Sequence, residues 1–319
     1  MKRLINIFLC IGFISFLSCD DVFEEDIEEE NIQVIFPKEG DTISSNSVEF
    51  RWGEIDGAKK YRLFVTSTST GKVLYDTLAL GSHVNLPFNT GRFVWKVRGE
   101  NSAYTTTYTK EINFQVASSS DLSEQTLFLK SPSDNFYTNT TQSILLTWEF
   151  NKNALDYVLE IDKTVSNNTE TIIHEEGLTS NNYTLDASEI VDDALYSWRV
   201  KGVNEESETV YTSRKIYIDK KAPNVPALMT PEDNAVSGDT VTFNWEVAND
   251  LGVISSPTKS ILQLAKNVEF TDGVIEFETS VNEREYTFTD NGDYYWRVKT
   301  LDEAGNQSEY SSNRKITIQ

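Results

Sequence analysis

The sequence predicts an all-β chain of three tandem antiparallel β-sandwiches, set behind an apolar leader and an acidic tether. Three observations predict it. Six tryptophans fall into two series, Trp52, Trp148 and Trp245 spaced by 96 and 97 residues, and Trp95, Trp198 and Trp296 spaced by 103 and 98. A period near 100 residues is the length of a sandwich domain and far exceeds a solenoid repeat. The segments around each tryptophan alternate apolar and polar residues, as half-buried strands do. Beyond the leader no long stretch carries helical periodicity; Ala187-Ser188-Glu189-Ile190 has room for one turn.

The leader comes first. Lys2 and Arg3 precede an apolar run from Leu4 to Leu17, broken only by Asn6, Gly12 and Ser15. Its 14 residues match a signal-peptide core and are too few to span a bilayer comfortably. The run ends at Phe16-Leu17-Ser18-Cys19. Of the two cysteines, Cys10 leaves with a leader of residues 1–18, so Cys19 stands first in what remains and no internal disulfide can form. Residues 19–31 read as a tether: eight of the eleven residues from Asp20 to Glu30 are acidic, and such a block is expected to be extended and disordered. The chain's formal charge is −22; without Lys2 and Arg3 it is −24, of which the tether holds −8 and the domains about −16. This balance excludes nucleic acid as a partner, because no basic stripe exists to neutralise phosphates. It also argues against domains lying flat on an anionic membrane.

The domains are placed at 32–117, 125–219 and 224–319. Each opens on a Pro-containing turn: Phe36-Pro37-Lys38-Glu39-Gly40, Ser131-Pro132-Ser133-Asp134-Asn135 and Thr230-Pro231-Glu232-Asp233-Asn234. The first tryptophan strand follows, as Val48-Glu49-Phe50-Arg51-Trp52, Leu146-Thr147-Trp148 and Val241-Thr242-Phe243-Asn244-Trp245. Next come strands at Tyr61–Val65, Tyr157–Ile161 and Leu262–Leu264, then the second tryptophan strand at Phe93–Val97, Tyr196–Val200 and Tyr294–Val298. Closing strands fall at Ile112–Phe114, Ile216–Ile218 and Ile316–Ile318. Between domains, Ser118-Ser119-Ser120-Asp121 is expected to flex, and Ala222-Pro223-Asn224-Val225-Pro226 to be stiffer.

Pro-led opening, core Trp on the second strand and aromatic-rich sixth strand together resemble the fibronectin type III family, in three copies over about residues 32–319. Immunoglobulin-like sandwiches outside that family stay open. The family's sixth-strand tyrosine maps to Tyr196 and Tyr294, but Phe93 stands there in domain one and has no hydroxyl to bond with. Ser18-Cys19 after the apolar run resembles a bacterial lipobox, which implies cleavage before Cys19 and lipid on that residue. Phe16 and Leu17 depart from its commonest form. The acidic block resembles the export tag of Bacteroidetes surface lipoproteins, which implies an outer-membrane lipoprotein exposed at the cell surface. Asp-Thr-aliphatic triplets resemble the O-glycan acceptor motif of exported proteins in that phylum, which implies glycans on Thr42, Thr77 and Thr240.

Catalytic chemistry finds no foothold. The only histidines, His83 and His174, lie in different repeats, so neither a Ser-His-Asp site nor a Cys/His zinc cluster is expected. Acidic residues are too abundant for any one pair to mark a glycosidase. Asp302-Glu303-Ala304-Gly305-Asn306 lacks the ligand spacing of an EF-hand loop and reads as a hairpin turn. No enzyme, cofactor or metal is expected. All six tryptophans sit at repeated core positions, which leaves Phe136, Tyr137, Tyr104, Tyr108 and Tyr183 as candidate ligand contacts, each read first as an edge or packing residue. Trp148 to Tyr157 is nine residues, but Trp245 to the comparable Ser260 is fifteen. The extra loop, Asn249 to Pro257, lies at the pole facing domain two, so Leu251, Val253 and Ile254 are expected to pack across the junction. The expected role is a non-enzymatic surface lipoprotein that binds protein or glycan, adheres, or scaffolds a surface complex. The alternatives are a glycan-binding accessory of polysaccharide uptake and a periplasmic spacer.

Overall fold

The computed structural model describes residues 24–246 and 248–319; the leader, Cys19 and residues 20–23 lie outside them. The chain divides into two compact units, one ending at Ser118 and one spanning Ser119–Gln319. The first holds one sandwich and the second holds two, and all described regular structure is strand.

Sandwich one comprises β1 (Val34–Phe36), β2 (Asp41–Ile43), β3 (Ser47–Trp52), β4 (Lys60–Ser67), β5 (Val73–Ala79), β6 (His83–Pro87), β7 (Gly91–Glu100) and β8 (Ile112–Val116). Sandwich two comprises β9 (Leu129–Ser131), β10 (Phe136–Thr138), β11 (Ile144–Trp148), β12 (Asp156–Val165), β13 (Asn168–Leu178), β14 (Asn182–Leu185), β15 (Ala194–Val203) and β16 (Thr212–Ile218). Sandwich three comprises β17 (Ala227–Thr230), β18 (Ala235–Ser237), β19 (Thr240–Glu246), β20 (Thr258–Ala265), β21 (Ile275–Thr279), β22 (Glu283–Thr287), β23 (Gly292–Asp302) and β24 (Arg314–Ile318). Each pairs a three-stranded sheet with a five-stranded one, in orders β1-β3-β6 and β2-β8-β7-β4-β5, and equivalently thereafter. The chain is three tandem fibronectin type III-like sandwiches.

Alternation builds the cores. On β4 the buried hydrophobic residues are Tyr61, Leu63 and Val65, and on β7 they are Phe93, Trp95 and Val97. All six tryptophans are at most 1% exposed. Phe50 meets Trp95 edge-on at 5.0 Å, Trp148 lies 6.5 Å from Trp198, and Phe243 lies 5.1 Å from Trp296. Truncating one such ring to Ala costs about 3–5 kcal/mol.

The Pro-led turns carry the chain from one sheet to the other. β1 pairs antiparallel with β3, whereas β2 pairs parallel with β8. The residue closing each turn is left-handed: Gly40 at φ 84°, Asn135 at 54° and Asn234 at 63°. Gly has no Cβ to clash there, and Asn tolerates the region best among the rest. The acid just before accepts a backbone N–H of the last strand. Glu39 takes Asn113 at 2.8 Å, Asp134 takes Lys215 at 3.0 Å and Asp233 takes Lys315 at 2.9 Å.

Part of the acidic segment departs from expectation. Glu24–Glu30 is not an extended tether but lies folded against sandwich one. Ile27 is fully buried, Glu30 N–H closes a turn on Ile27 O at 3.1 Å, and Asn101 Nδ2 donates to Glu25 O at 2.8 Å. Burying one isoleucine is worth about 1.5–3 kcal/mol, and the surrounding carboxylates keep their water. Ser119 and Ser120 are likewise held: Asn153 Nδ2 donates to Ser119 O at 2.7 Å and Asn204 Nδ2 to Ser120 O at 3.0 Å, while Leu122 is fully buried.

Candidate functional site at the junction of the second and third sandwiches

The candidate ligand aromatics are spread among different roles. Phe136 and Tyr183 pack on the core of sandwich two. Tyr137 stacks on Tyr217 with ring centroids 4.5 Å apart and planes 12° apart, across the parallel β10–β16 pair. Tyr104 sits half-buried in the β7–β8 loop, where its N–H donates to Asn101 Oδ1 at 2.7 Å. Tyr108 lies over Lys96 and Arg98, with cation–centroid distances of 5.4 and 4.9 Å. Thr42 on β2 and Thr240 on β19 are exposed, and Thr77 on β5 is half-buried. Cys19 lies outside the described residues. Among the described residues, two clefts on sandwich one each hold one of these candidates, Thr42 in one and Tyr108 in the other.

The Tyr108 arrangement recurs, and no single sequence window shows it. Tyr211 covers Arg199 and Lys201 at 5.1 Å each, and Tyr310 covers Arg297 at 3.9 Å and Lys299 at 4.8 Å. Each tyrosine braces two alternate cations on the outer face of the central strand. The arginine of each pair is anchored by Glu100 in sandwich one, Glu160 in sandwich two and Gln263 in sandwich three, and the lysine by Glu111, Glu208 and Gln307. Arg199 holds the Glu160 carboxyl below its ordinary value, and burial with the Glu160 bond pushes the Tyr211 hydroxyl up to about 12. These are structural clamps: the Tyr211 and Tyr310 hydroxyls are themselves spent on Glu160 and Glu276.

What concentrates unusual chemistry is the pole of sandwich three within the second unit. In the first two sandwiches that pole is closed by a tyrosine: Tyr61 and Tyr157 hydroxyls accept the N–H of Ile55 at 2.7 Å and Asn151 at 2.9 Å. Their rings rest beside Gly99 and Gly202. Sandwich three has Ser260 and Thr300 at these places, so the tyrosine that shortens the loop is gone, and Trp245 Nε1 donates to Ser260 Oγ at 2.8 Å. The longer loop from Asn249 to Pro257 then reaches sandwich two.

Its contacts run mainly through backbone. Val253 N–H donates to Asp193 Oδ2 at 2.7 Å and Ile254 N–H to the same oxygen at 3.5 Å. Gly252, at φ +110°, passes so close that a Cβ there would fall 2.4 Å from Asp193 Oδ2. Ile254 is buried, while Leu251 and Val253 keep 45% and 46% of their surface exposed. The following turn of sandwich three adds more. Asn139 N–H donates to Ala304 O at 3.1 Å, Asn139 Nδ2 to Asn306 Oδ1 at 3.1 Å, and Asn306 Nδ2 to Asp219 O at 3.0 Å. Gly305 supplies the positive φ, 97°, of this turn.

At the centre lie three carboxylates. Asp219 follows β16 of sandwich two, Asp250 sits in the long loop and Asp302 ends β23; their oxygens fall within 4.8 Å of one another. Asp219 is fully buried and Asp302 4% exposed. Asp219 accepts the Ser256 hydroxyl and the Lys221 N–H, the latter at 3.1 Å. Asp250 accepts Ser256 N–H at 2.6 Å, and Asp302 accepts Asn306 N–H at 2.7 Å. Burial first, and then the charges of Asp250 and Asp302, push the Asp219 carboxyl up to about 6, against the pull of its two donors.

No protein-family model and no curated protein matches the chain. Among solved structures it is similar to a crystal structure of the FN1–FN3 domains of chicken CNTN1, at 12% identity and a TM-score of 0.45, over 91% of this chain and 98% of that one. At that distance the likeness carries nothing about what the chain does.

Proposed function

We propose that the chain is a non-enzymatic lipoprotein, anchored through lipid on Cys19 and exposed at the surface of a bacterial outer membrane, whose three sandwiches bind or scaffold other surface molecules. The observation that carries the reading is the position of Cys19: a small residue then Cys, directly after a 14-residue apolar run, with no later cysteine in the chain. Three fibronectin type III-like sandwiches in tandem suit a binding or scaffold role, and the domain surface of about −16 suits exposure to water. Burial of all six tryptophans favours protein over glycan as the bound class, because sugar platforms use exposed rings.

Native cells test it. Intact-mass analysis of the purified protein is expected to show the chain starting at Cys19 with added acyl mass, and Cys19→Ser to abolish both the added mass and the membrane fraction. Protease applied to whole cells is expected to cleave the domains. A chain that keeps residues 1–18, or stays membrane-bound as Cys19→Ser, defeats the anchor; full protection from protease defeats surface exposure and leaves the periplasmic spacer.

A further inference from the structure

We propose that the junction between the second and third sandwiches is a proton-linked clasp, in which the carboxylates of Asp219, Asp250 and Asp302 close on one shared proton and repel one another once it leaves. The geometry carries this. Asp219 comes from sandwich two and Asp250 and Asp302 from sandwich three, so the energy between Asp219 and the other two is an energy of docking and not of either fold alone. Within the cluster, the tie across the junction is the hydrogen bond from Ser256 Oγ to Asp219 Oδ2, with Asn306 Nδ2 on the Asp219 carbonyl beside it. Buried like charges this close cannot all ionise cheaply, and the proton settles where desolvation is greatest, which is Asp219.

Nearby cations do not relieve the cluster. Lys220 Nζ turns away to Ile190 O at 2.5 Å, and Lys221 reaches Asp219 through its backbone N–H while its stem runs past Gly252. Other ionisable groups beside the cluster are Asp193, held to the Val253 and Ile254 amides, Glu303 near Tyr137, and the Tyr137 and Tyr217 hydroxyls, while Lys259 spends its charge on Glu278. None of the first four brings positive charge.

The sign follows from the direction of the shift. The Asp219 carboxyl is held up to about 6 against an ordinary 3.8, so the folded chain keeps a proton that the unfolded chain releases. The junction is therefore tightest below the ordinary value, and it loosens as pH rises through about 6. This is opposite to Glu160, whose depressed carboxyl makes its contribution above the ordinary carboxylate range and loses it as pH falls.

Asp219→Asn mimics the protonated state. Its amide oxygen can still accept the Lys221 N–H, and its NH2 can donate to Ser256 Oγ. The chain, produced without its apolar leader, is unfolded thermally at pH 5 and pH 8 in EDTA, following the transition of the 119–319 unit. The variant is expected to melt higher than wild type at both pH values, by roughly 3–8 °C at pH 8 for a unit of this size and by about half as much at pH 5, where the unfolded chain has already released the Asp219 proton. Asp250→Asn, which removes one repelling charge from a half-buried position, is expected to shift in the same direction and serves if Asp219→Asn folds poorly. Wild type and variants that run parallel from pH 5 to pH 8 overturn the proposal. It is also overturned if their difference appears only when millimolar calcium replaces EDTA, because the cluster would then answer to a metal and not to a proton.

Discussion

At the scale of single residues, the three sandwiches solve the same problems with different side chains. The sixth-strand tyrosine bonds to the loop before it in two of them: Tyr196 hydroxyl donates to Glu189 O at 2.6 Å and Tyr294 hydroxyl to Asp290 O at 3.1 Å. Phe93 cannot do so, but Tyr75 on β5 donates its hydroxyl to Pro87 O and supplies the missing tie from a neighbouring strand. Tyr75→Phe is expected to lower the stability of the first unit by about 0.5–1.5 kcal/mol in urea unfolding, whereas Phe93→Tyr, with the bond already made, should give no matching gain. A second exchange involves arginine. Arg214 and Arg314 donate to the carbonyls around Pro132 and Pro231, and in their presence Trp198 and Trp296 Nε1 find no partner. Ile112 stands opposite Trp95 instead, and there the indole itself donates to Pro37 O at 3.2 Å.

At the scale of elements, the segment leading into each sandwich belongs to its fold. Asn101, Asn204 and Asn306 each direct their side-chain amide to a carbonyl of that segment, on Glu25, Ser120 and Asp219 respectively. In the first two, Ile27 and Leu122 are fully buried. A reading by composition sees six acids and calls the first segment solvated; the single buried isoleucine decides otherwise, because charged neighbours cost nothing while they face water. Ile27→Ala is expected to destabilise the first unit by about 2–4 kcal/mol, and Glu28→Ala, on the exposed side, by less than about 0.5 kcal/mol. Thermal melts of the two variants against wild type separate these outcomes.

At the scale of the whole molecule, sandwiches two and three share a unit while sandwich one forms its own. Their contact runs through Asp193, Asp219 and Asn139 on one side and the Asn249–Pro257 loop with the 302–306 turn on the other. A chain cut between Ser118 and Ser119 is therefore expected to give two pieces that each melt cooperatively at the midpoint they have when joined. Calorimetry of the separate pieces checks this, and a piece that fails to fold or shifts by more than about 5 °C refutes it.

By itself the sequence determined the number of sandwiches, their core residues, the turn signals and the anchor expectation. Those depend on local alternation and on a period of about 100 residues, which any strand must show to bury one face. It also placed the long loop of the third domain at the correct pole, and it read Asp302–Asn306 as a turn. Only the tertiary structure decided which distant groups meet. Asp219, Asp250 and Asp302 are separated by dozens of residues and each looks ordinary where it stands; the fold of sandwich three brings Asp250 to Asp302, and docking adds Asp219. The same holds for Tyr75 answering for Phe93, and for the tyrosine braces over paired cations. Burial of one face is written into every few residues, whereas electrostatic coupling depends on distance in space, and a linear sequence does not carry distance.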